Sequence, residues 1–391
     1  MILMAESILS DKSTVFITQG KSAYENTINA LSQVDLGFMN GKKILLKPNV
    51  GRVAYPGDGI NTDPNVVAAA IDFFLDNNTE VAVGESPISG VNVMDAFDAS
   101  GIADITKQRK CKLIDLDKKG YKKCNTKNAQ IMQFFKICKS VFEYDYIVSI
   151  PVMKTHMHTG VTLSVKNMKG CLWKKSKVDL HMLPPVPETN EKPINIAIAD
   201  MAEILKPDLT LIDGIVGMEG LGPSVGNPKP LGAIIASFDA FAADAIACYL
   251  MGISPKEIPH LKICNQREYG HISLDKIIVK PDNWKDYINP FNLPPDNLSI
   301  EFPKVSIFDK NSCSACQSSL LVFLKKYHNE IFKIFPNKKK FCFAIGKSNV
   351  DLPEDTICIG NCTLANSKNS LFIQGCPPVA SAILEFIKKK L

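Results

Sequence analysis

The residues able to do chemistry gather in two places, and the first is the end of the chain. Six of the twelve cysteines fall in the last 79 residues. Cys313 and Cys316 form Cys-Ser-Ala-Cys, Cys362 ends Gly-Asn-Cys, and Cys376 sits in Gly-Cys-Pro-Pro. A 4Fe–4S cluster needs four thiolates converging on one cube. A two-residue spacer lets one turn present two of them. A glycine beside a ligand lets backbone come close to sulfur, because it has no Cβ. Prolines after the last cysteine fix the chain direction and open the following helix. Cys313, Cys316, Cys362 and Cys376 are therefore the expected metal ligands. Cys342 and Cys358 lie in the apolar runs FCFAI and TICIG and read as core thiols. Zinc competes for the same ligands, although zinc ribbons usually offer two short-spaced pairs and thirteen residues lie between Cys362 and Cys376. Unliganded thiols are the third alternative. The other six cysteines are scattered, as small core residues are.

The second place is PVMKTHMHTGVTLSVKNMKG, residues 151–170. Lys154 and His156 leave a strand end, and a helix is expected from Thr162 to Leu172, carrying Lys166, Asn167 and Lys169. A helix N-terminus flanked by lysines makes an anion site. His156 and His158 suit acid–base work or metal ligation, since neutral imidazole serves both. The plain alternative is a solvated loop that happens to hold two of the six histidines.

Elements must bring these residues together. Short apolar runs alternate with helical stretches through the first 300 residues. Strands are expected at Lys43–Lys47, Glu80–Gly84, Lys112–Leu116, Tyr144–Pro151, Leu209–Asp213 and Leu231–Ser237. Helices are expected at 64–76, with Asp63 as N-cap and Pro64 in the first turn, and at 91–100 and 241–251. Strands nearly all apolar and separated by helices argue for an α/β domain with a mainly parallel sheet. Ligands in such sheets bind outside the carboxyl ends of the strands. Those ends carry Lys47 and Asn49, Glu85 and Ser86, Lys154 to His158, and Asp213, followed by Glu219 in a glycine-rich stretch that could cover the site or hold phosphate. A Pro-, Asn- and Asp-rich linker at 283–302 separates residues 1–300 from a smaller α/β unit over 301–391. In that unit a helix is expected near 317–330, strands near 340–345 and 371–373, and a last helix over 378–389.

Composition removes several classes. The chain has 391 residues, 46% hydrophobic and 22% charged, with a net charge of +5. Gly and Pro are too few for a collagen-like or low-complexity chain. The basic residues look scattered, so nucleic acid is not an expected partner. The most apolar stretch, Leu231–Ile253, is interrupted by Asp239 and Asp244, so no membrane span is expected. Residues 1–10 lack the marks of a signal peptide. A cytoplasmic, reducing location is the expectation, and cysteines there call for a role other than disulfides.

The runs KILLKPN, TDP, VGES, PVMKTH…VKNMKG and LIDGIVGMEGLGP resemble the family called domain of unknown function 362, over roughly residues 40–255. The resemblance implies an iron–sulfur association. The chain departs from the family's usual ferredoxin-type run, having no Cys-x-x-Cys-x-x-Cys. Its Gly-Cys-Pro-Pro instead is similar to the motif of the proximal-cluster subunit of respiratory complex I. A remoter likeness to nickel-pincer lactate racemases implies an anionic organic substrate. The combined expectation is a 4Fe–4S redox enzyme acting on an anionic small molecule, with a redox partner protein. Lys47, Asn49, Lys154, Lys166 and Asn167 would hold the anion, His156 would move a proton, and Asp213 and Glu219 would orient a cation or hydroxyl. Two alternatives stand beside it: a non-redox racemase- or transferase-like enzyme with a structural cluster, and an electron carrier or assembly partner with no chemistry of its own.

Overall fold

The computed structural model describes residues 12–184, 186–187, 189–294, 302–310, 312–347, 352–369 and 371–391. The N-terminal segment and part of the linker considered above lie outside them. The chain divides into two units, Met1–Leu180 with Pro185–Pro294, and His181–Pro184 with Pro295–Leu391.

In the first unit the elements run in chain order β1 (Ser13–Gln19), α1 (Ala23–Ser32), β2 (Lys43–Pro48), α2 (Pro64–Asp76), β3 (Glu80–Glu85), α3 (Val93–Ala99), α4 (Ile102–Gln108) and β4 (Lys112–Asp115). They continue as β5 (Tyr121–Asn125), β6 (Phe134–Cys138), β7 (Tyr146–Ile150), β8 (Val152–His156), β9 (Gly160–Thr162), α5 (Ser164–Asn167) and α6 (Ser176–Asp179). Then come α7 (Pro193–Ala202), β10 (Leu209–Glu219), β11 (Asn227–Ser237), α8 (Ala240–Leu250), α9 (Pro259–Gln266) and β12 (Ile277–Lys280).

The main sheet has the order β12-β1-β11-β10-β7-β2-β3-β4, with β8 joined to β10 and β9. The half built from β10, β7, β2, β3 and β4 is wholly parallel, while β11 runs antiparallel to both of its neighbours. This is the mainly parallel α/β sheet that the apolar runs imply. Both faces are covered. Ile234 and Ala236 of β11 pack with α1, α2 and α3, and Ala233 and Ile235 between them pack with α7, α8 and α9. Alternation along one strand thus feeds two cores. Asp63 caps α2 through the Asn65 N–H, as its place before Pro64 suggests.

Three expectations need correction. The helix expected over 162–172 is a four-residue α5 followed by a 3-10 turn at Met168–Cys171. Thr162 belongs instead to β9, because β8 turns back on itself. The first half of the glycine-rich stretch is strand: β10 extends to Glu219 and pairs with β11 across the following turn. A two-stranded β5–β6 ribbon, apart from the main sheet, was not foreseen.

The second unit has β13 (Val305–Lys310), α10 (Ser314–Ile334), β14 (Phe341–Gly346), β15 (Ile357–Ile359), β16 (Leu371–Ile373) and α11 (Ala380–Lys390). Its four strands lie side by side in sequence order, all parallel. Among the described residues, no helix is long and apolar enough to cross a membrane.

Candidate functional site

β2 (KILLKP) and β3 (EVAVGE) are apolar along their middles, and each delivers one buried charge near its carboxyl end. These meet: Lys47 Nζ lies 2.6 Å from Glu85 Oε2, with both side chains buried. Lys47 also donates to the Pro48 carbonyl at 2.8 Å and to Asn167 Oδ1 at 3.2 Å. Glu85 accepts further from the N–H groups of Val50 and Ser86. The ammonium expected to hold an anion is thus neutralised within the fold. Gly170 lies directly over this pair. A Cβ there would stand 2.5 Å from Lys47 Nζ and 2.3 Å from Glu85 Oε1, so only glycine lets the backbone approach.

Asn167 and Asn49 carry the network outward. Asn167 Nδ2 donates to the Lys47 carbonyl and to Ser149 Oγ, and its Oδ1 also accepts from Asn49 Nδ2 at 3.3 Å. Asn49 Oδ1 in turn accepts from Lys154 Nζ, which also donates to the Ile60 carbonyl at 2.7 Å. Lys154 sits opposite Thr162 in the β8–β9 ladder, and Lys166 Nζ donates to Thr162 Oγ1 at 3.1 Å. The fold therefore gathers Asn49, Lys154, Lys166 and Asn167. His156 follows Lys154 by two residues on β8, so both point to one side of the strand. Its Nδ1 accepts from the N–H groups of His158 and Thr159 at 3.0 and 3.3 Å. A neutral ring must then carry its proton on Nε2.

The expected helix-terminus anion site is absent. The N–H groups of Ser164 and Val165, at the start of α5, donate to the buried carboxylate of Asp244 at 2.7 and 3.0 Å. Asp213 is likewise engaged, accepting from the N–H groups of Asp63 and Ile215 at 2.8 and 2.9 Å. Burial pushes its carboxyl up to about 7 against those two bonds. Glu219 does not join the group. It accepts two bonds from Asn292 and pairs with Lys229 at 3.6 Å.

Positive charge dominates what remains. Burial, reinforced by Lys166 and Arg52, holds Lys154 well below the usual lysine range. Burial brings Lys166 down to about 7. Lys169 is held low by burial and by Lys166 and Lys177, and burial lowers Arg52. Arg52, Lys166 and Lys169 nonetheless keep part of their surface open. Strong desolvation with partial access is what a concave wall gives. Lys177 donates to Ser86 Oγ and to the Leu172 carbonyl, with Asp117 at 3.9 Å. Lys47, Arg52, Lys154, Lys166, Lys169 and Lys177 thus make six basic side chains linked to one another, reached by three carboxylates, Glu85, Asp117 and Asp213. Arg52, Lys177 and Asp244 escaped the sequence reading. Lys177 lies in WKKSK, which reads as a solvated run, and Asp244 registered only as a break in an apolar stretch.

In the second unit the cysteines leave the carboxyl ends of the small sheet. Cys313 follows β13 and caps α10, and the Cys316 N–H donates to its carbonyl at 3.1 Å. Cys362 follows β15 and Cys376 follows β16. The last two loops are tied together: the Asn361 N–H donates to the Gly375 carbonyl and the Gly375 N–H to Asn361 Oδ1, both at 2.9 Å. Gly360, at φ +92°, has its missing Cβ 3.2 Å from Cys316 Sγ, which brings the Cys362 loop against the helix start. The four thiols sense one another. Cys316 is raised by its bond to Cys313, by burial and by the charges of Cys313, Cys362 and Cys376. Cys313 is drawn down to about 6 by the Cys316 thiol, against burial and with help from the N–H groups of Cys316 and Ala315. Cys342 and Cys358 sit within β14 and β15. Among the described residues, no three His, Cys, Asp or Glu side chains converge tightly enough for a single metal ion.

Comparison with known proteins gives three likenesses. Residues 44–249 match the family described as Domain of unknown function (DUF362). The thylakoid-associated protein sll1697 of Synechocystis sp. (strain ATCC 27184 / PCC 6803 / Kazusa) is 27% identical over 219 residues, 56% of this chain and 66% of that protein. The lactate racemase apoprotein of Thermoanaerobacterium thermosaccharolyticum is 11% identical with a TM-score of 0.39, over 89% of this chain and 69% of that one. The family match takes in β2 to α8, and with them Lys47, Glu85, Lys154, Lys166 and Gly170. The chain belongs to the DUF362 family.

Proposed function

We propose that the first unit binds an anionic small molecule at the carboxyl edge of its sheet and carries out acid–base chemistry on it. The observation that carries this reading is the surplus of desolvated cations over carboxylates. Charge withheld from water is costly unless paired. Lys154 and Arg52 would face the anion. A lysine held near 7, such as Lys166, exchanges a proton readily at neutral pH, which suits a general base or acid beside a bound anion. His156 Nε2 would be the second proton-carrying atom. Proton movement next to a bound carboxylate is racemase-like chemistry and requires no electron transfer.

The second unit would hold a 4Fe–4S cluster on Cys313, Cys316, Cys362 and Cys376. The gathering of four thiols at one sheet edge favours it, since a cube takes one thiolate on each of its four irons. When bound, such a group supplies one-electron transfer or a structural brace. An electron-transferring role for the chain rests on that quartet.

The test is anaerobic purification followed by iron, sulfide and zinc analysis and mass spectrometry of the small molecules released on denaturation. About four irons and four sulfides, with an anionic metabolite, are expected. Zinc without sulfide would overturn the cluster. Protein that neither releases nor binds any anion would overturn the site in the first unit.

A further inference from the structure

The β5–β6 ribbon stands outside both sites. From Lys118 to Lys139 the sequence holds seven lysines and no acidic residue. The net charge of the whole chain is only +5, so the other 369 residues sum to −2. This asymmetry is hidden when basic residues are judged over the full length.

Folding concentrates the charge rather than dispersing it. Lys123 and Lys136 are direct cross-strand partners. Like charges placed opposite one another destabilise a ribbon. Lys119 is paired with Glu143 at 2.7 Å, but among the described residues Lys122, Lys123, Lys127, Lys136 and Lys139 make no ion pair. Aromatic rings share this face. Lys123 Nζ lies 4.1 Å over Phe134, Lys136 Nζ lies 5.2 Å over Tyr121, and Lys174 Nζ lies 5.0 Å over Trp173. Tyr121 and Trp173 touch, with ring centroids 4.8 Å apart. Tyr121 and Phe134 are exposed. The strip therefore alternates rings and ammonium groups, with lysine stems lying along the rings.

We propose that this strip, formed by β5, β6, Trp173 and Lys174, docks on the surface of an anionic lipid bilayer. Lysine stems over half-exposed rings are the side chains that settle at headgroup level, rings toward the acyl boundary and ammoniums toward phosphate. Single-stranded nucleic acid fits less well, because it needs free ring faces for bases to stack on, and here lysines or a neighbouring ring already cover them. The inference does not depend on either site described above.

The test uses the full chain with vesicles of phosphatidylcholine alone or with about a third phosphatidylglycerol. Sedimentation with the anionic vesicles only is expected, lost as salt is raised because surface charge is screened. Trp173 emission should shift to the blue on binding, and the shift should vanish in Trp173→Phe. The Lys123→Gln/Lys136→Gln/Lys174→Gln variant should bind about a hundredfold more weakly, each lysine near such a surface counting for roughly fivefold. Its unchanged melting temperature would show that the fold is intact. Failure of the wild type to bind anionic vesicles, equal binding to neutral ones, or undiminished binding by the triple variant would each overturn the proposal. Tight binding to a single-stranded oligonucleotide but not to vesicles would reassign the strip to nucleic acid.

Discussion

Both sheets place polar groups at the carboxyl ends of parallel strands, but they fill those ends in opposite ways. In the large sheet the first charges arrive with partners from the fold. Lys47 meets Glu85, Asn167 ties them to Asn49, and Asn49 holds Lys154. In the small sheet four thiols lie within electrostatic reach of one another, and Cys376 Sγ also meets Met182 Sδ at 3.8 Å. The first arrangement is braced before any ligand arrives and leaves a net positive charge. The second is a set of like groups that, in the proposed reading, a bound cluster would hold together. A substitution in the first should therefore disturb folding and affinity separately, and one in the second should decide occupancy outright.

The largest effect is expected in the small unit. Cys376→Ala should leave anaerobic protein without its full iron and sulfide content, because one iron loses its thiolate. Cys342→Ala should keep them, at a cost on the order of 1 kcal/mol. Iron retained in Cys376→Ala and lost in Cys342→Ala would reverse the assignment. Next comes Gly170→Ala in the large unit. Its Cβ would force the Lys47–Glu85 pair apart, and breaking a buried pair costs about 3–5 kcal/mol. Thermal unfolding measures this, and an unchanged melting temperature would show that the pair does not brace the fold.

Lys166→Met should act the other way. It removes a desolvated cation that repels Lys154 and Lys169, so the unliganded protein should hold or gain stability while anion affinity falls about tenfold or more. The smallest expected effect is the pH dependence of the wild type's unliganded stability. The folded pKa of Lys166 lies near 7, below the unfolded value near 10.4. Between those values the unfolded chain binds more protons, so stability should rise as pH is raised from about 7 toward 10. Denaturant titrations at pH 7 and 9 check the sign, and Lys166→Met should flatten the slope.

How much could be read without coordinates follows from the same contrast. Cysteines are scarce, and Cys-x-x-Cys with Gly-Cys-Pro-Pro leaves few groupings, so the quartet could be singled out from sequence, and its members follow strands of the small sheet. Lysines are common. Nothing in KILLK says that Lys47 will be neutralised by Glu85, thirty-eight residues on, nor that Thr162 will sit in a strand opposite Lys154. Strands buried on both faces announced themselves as apolar runs. The helix expected at 162–172 was present but misjudged in extent, because its start is set by Asp244, from a helix eighty residues away, accepting from the Ser164 N–H. The basic character of the β5–β6 ribbon was missed for another reason: the seven lysines of 118–139 were averaged into a nearly neutral chain.

The central claim is that the large sheet's edge holds more positive charge than the fold neutralises, and it can be measured by calorimetric titration of the full chain with sulfate at pH 6 and pH 8, in two buffers of different ionisation enthalpy. Burial lowers the proton affinity of Lys154 and Lys166, and a bound anion must raise it again, so binding should take up protons. The account predicts saturable binding, tighter at pH 6 than at pH 8, with a buffer-dependent heat that reports proton uptake and that Lys166→Met diminishes. Binding of equal strength at both pH values with no buffer dependence, or no saturable binding at all, would contradict it.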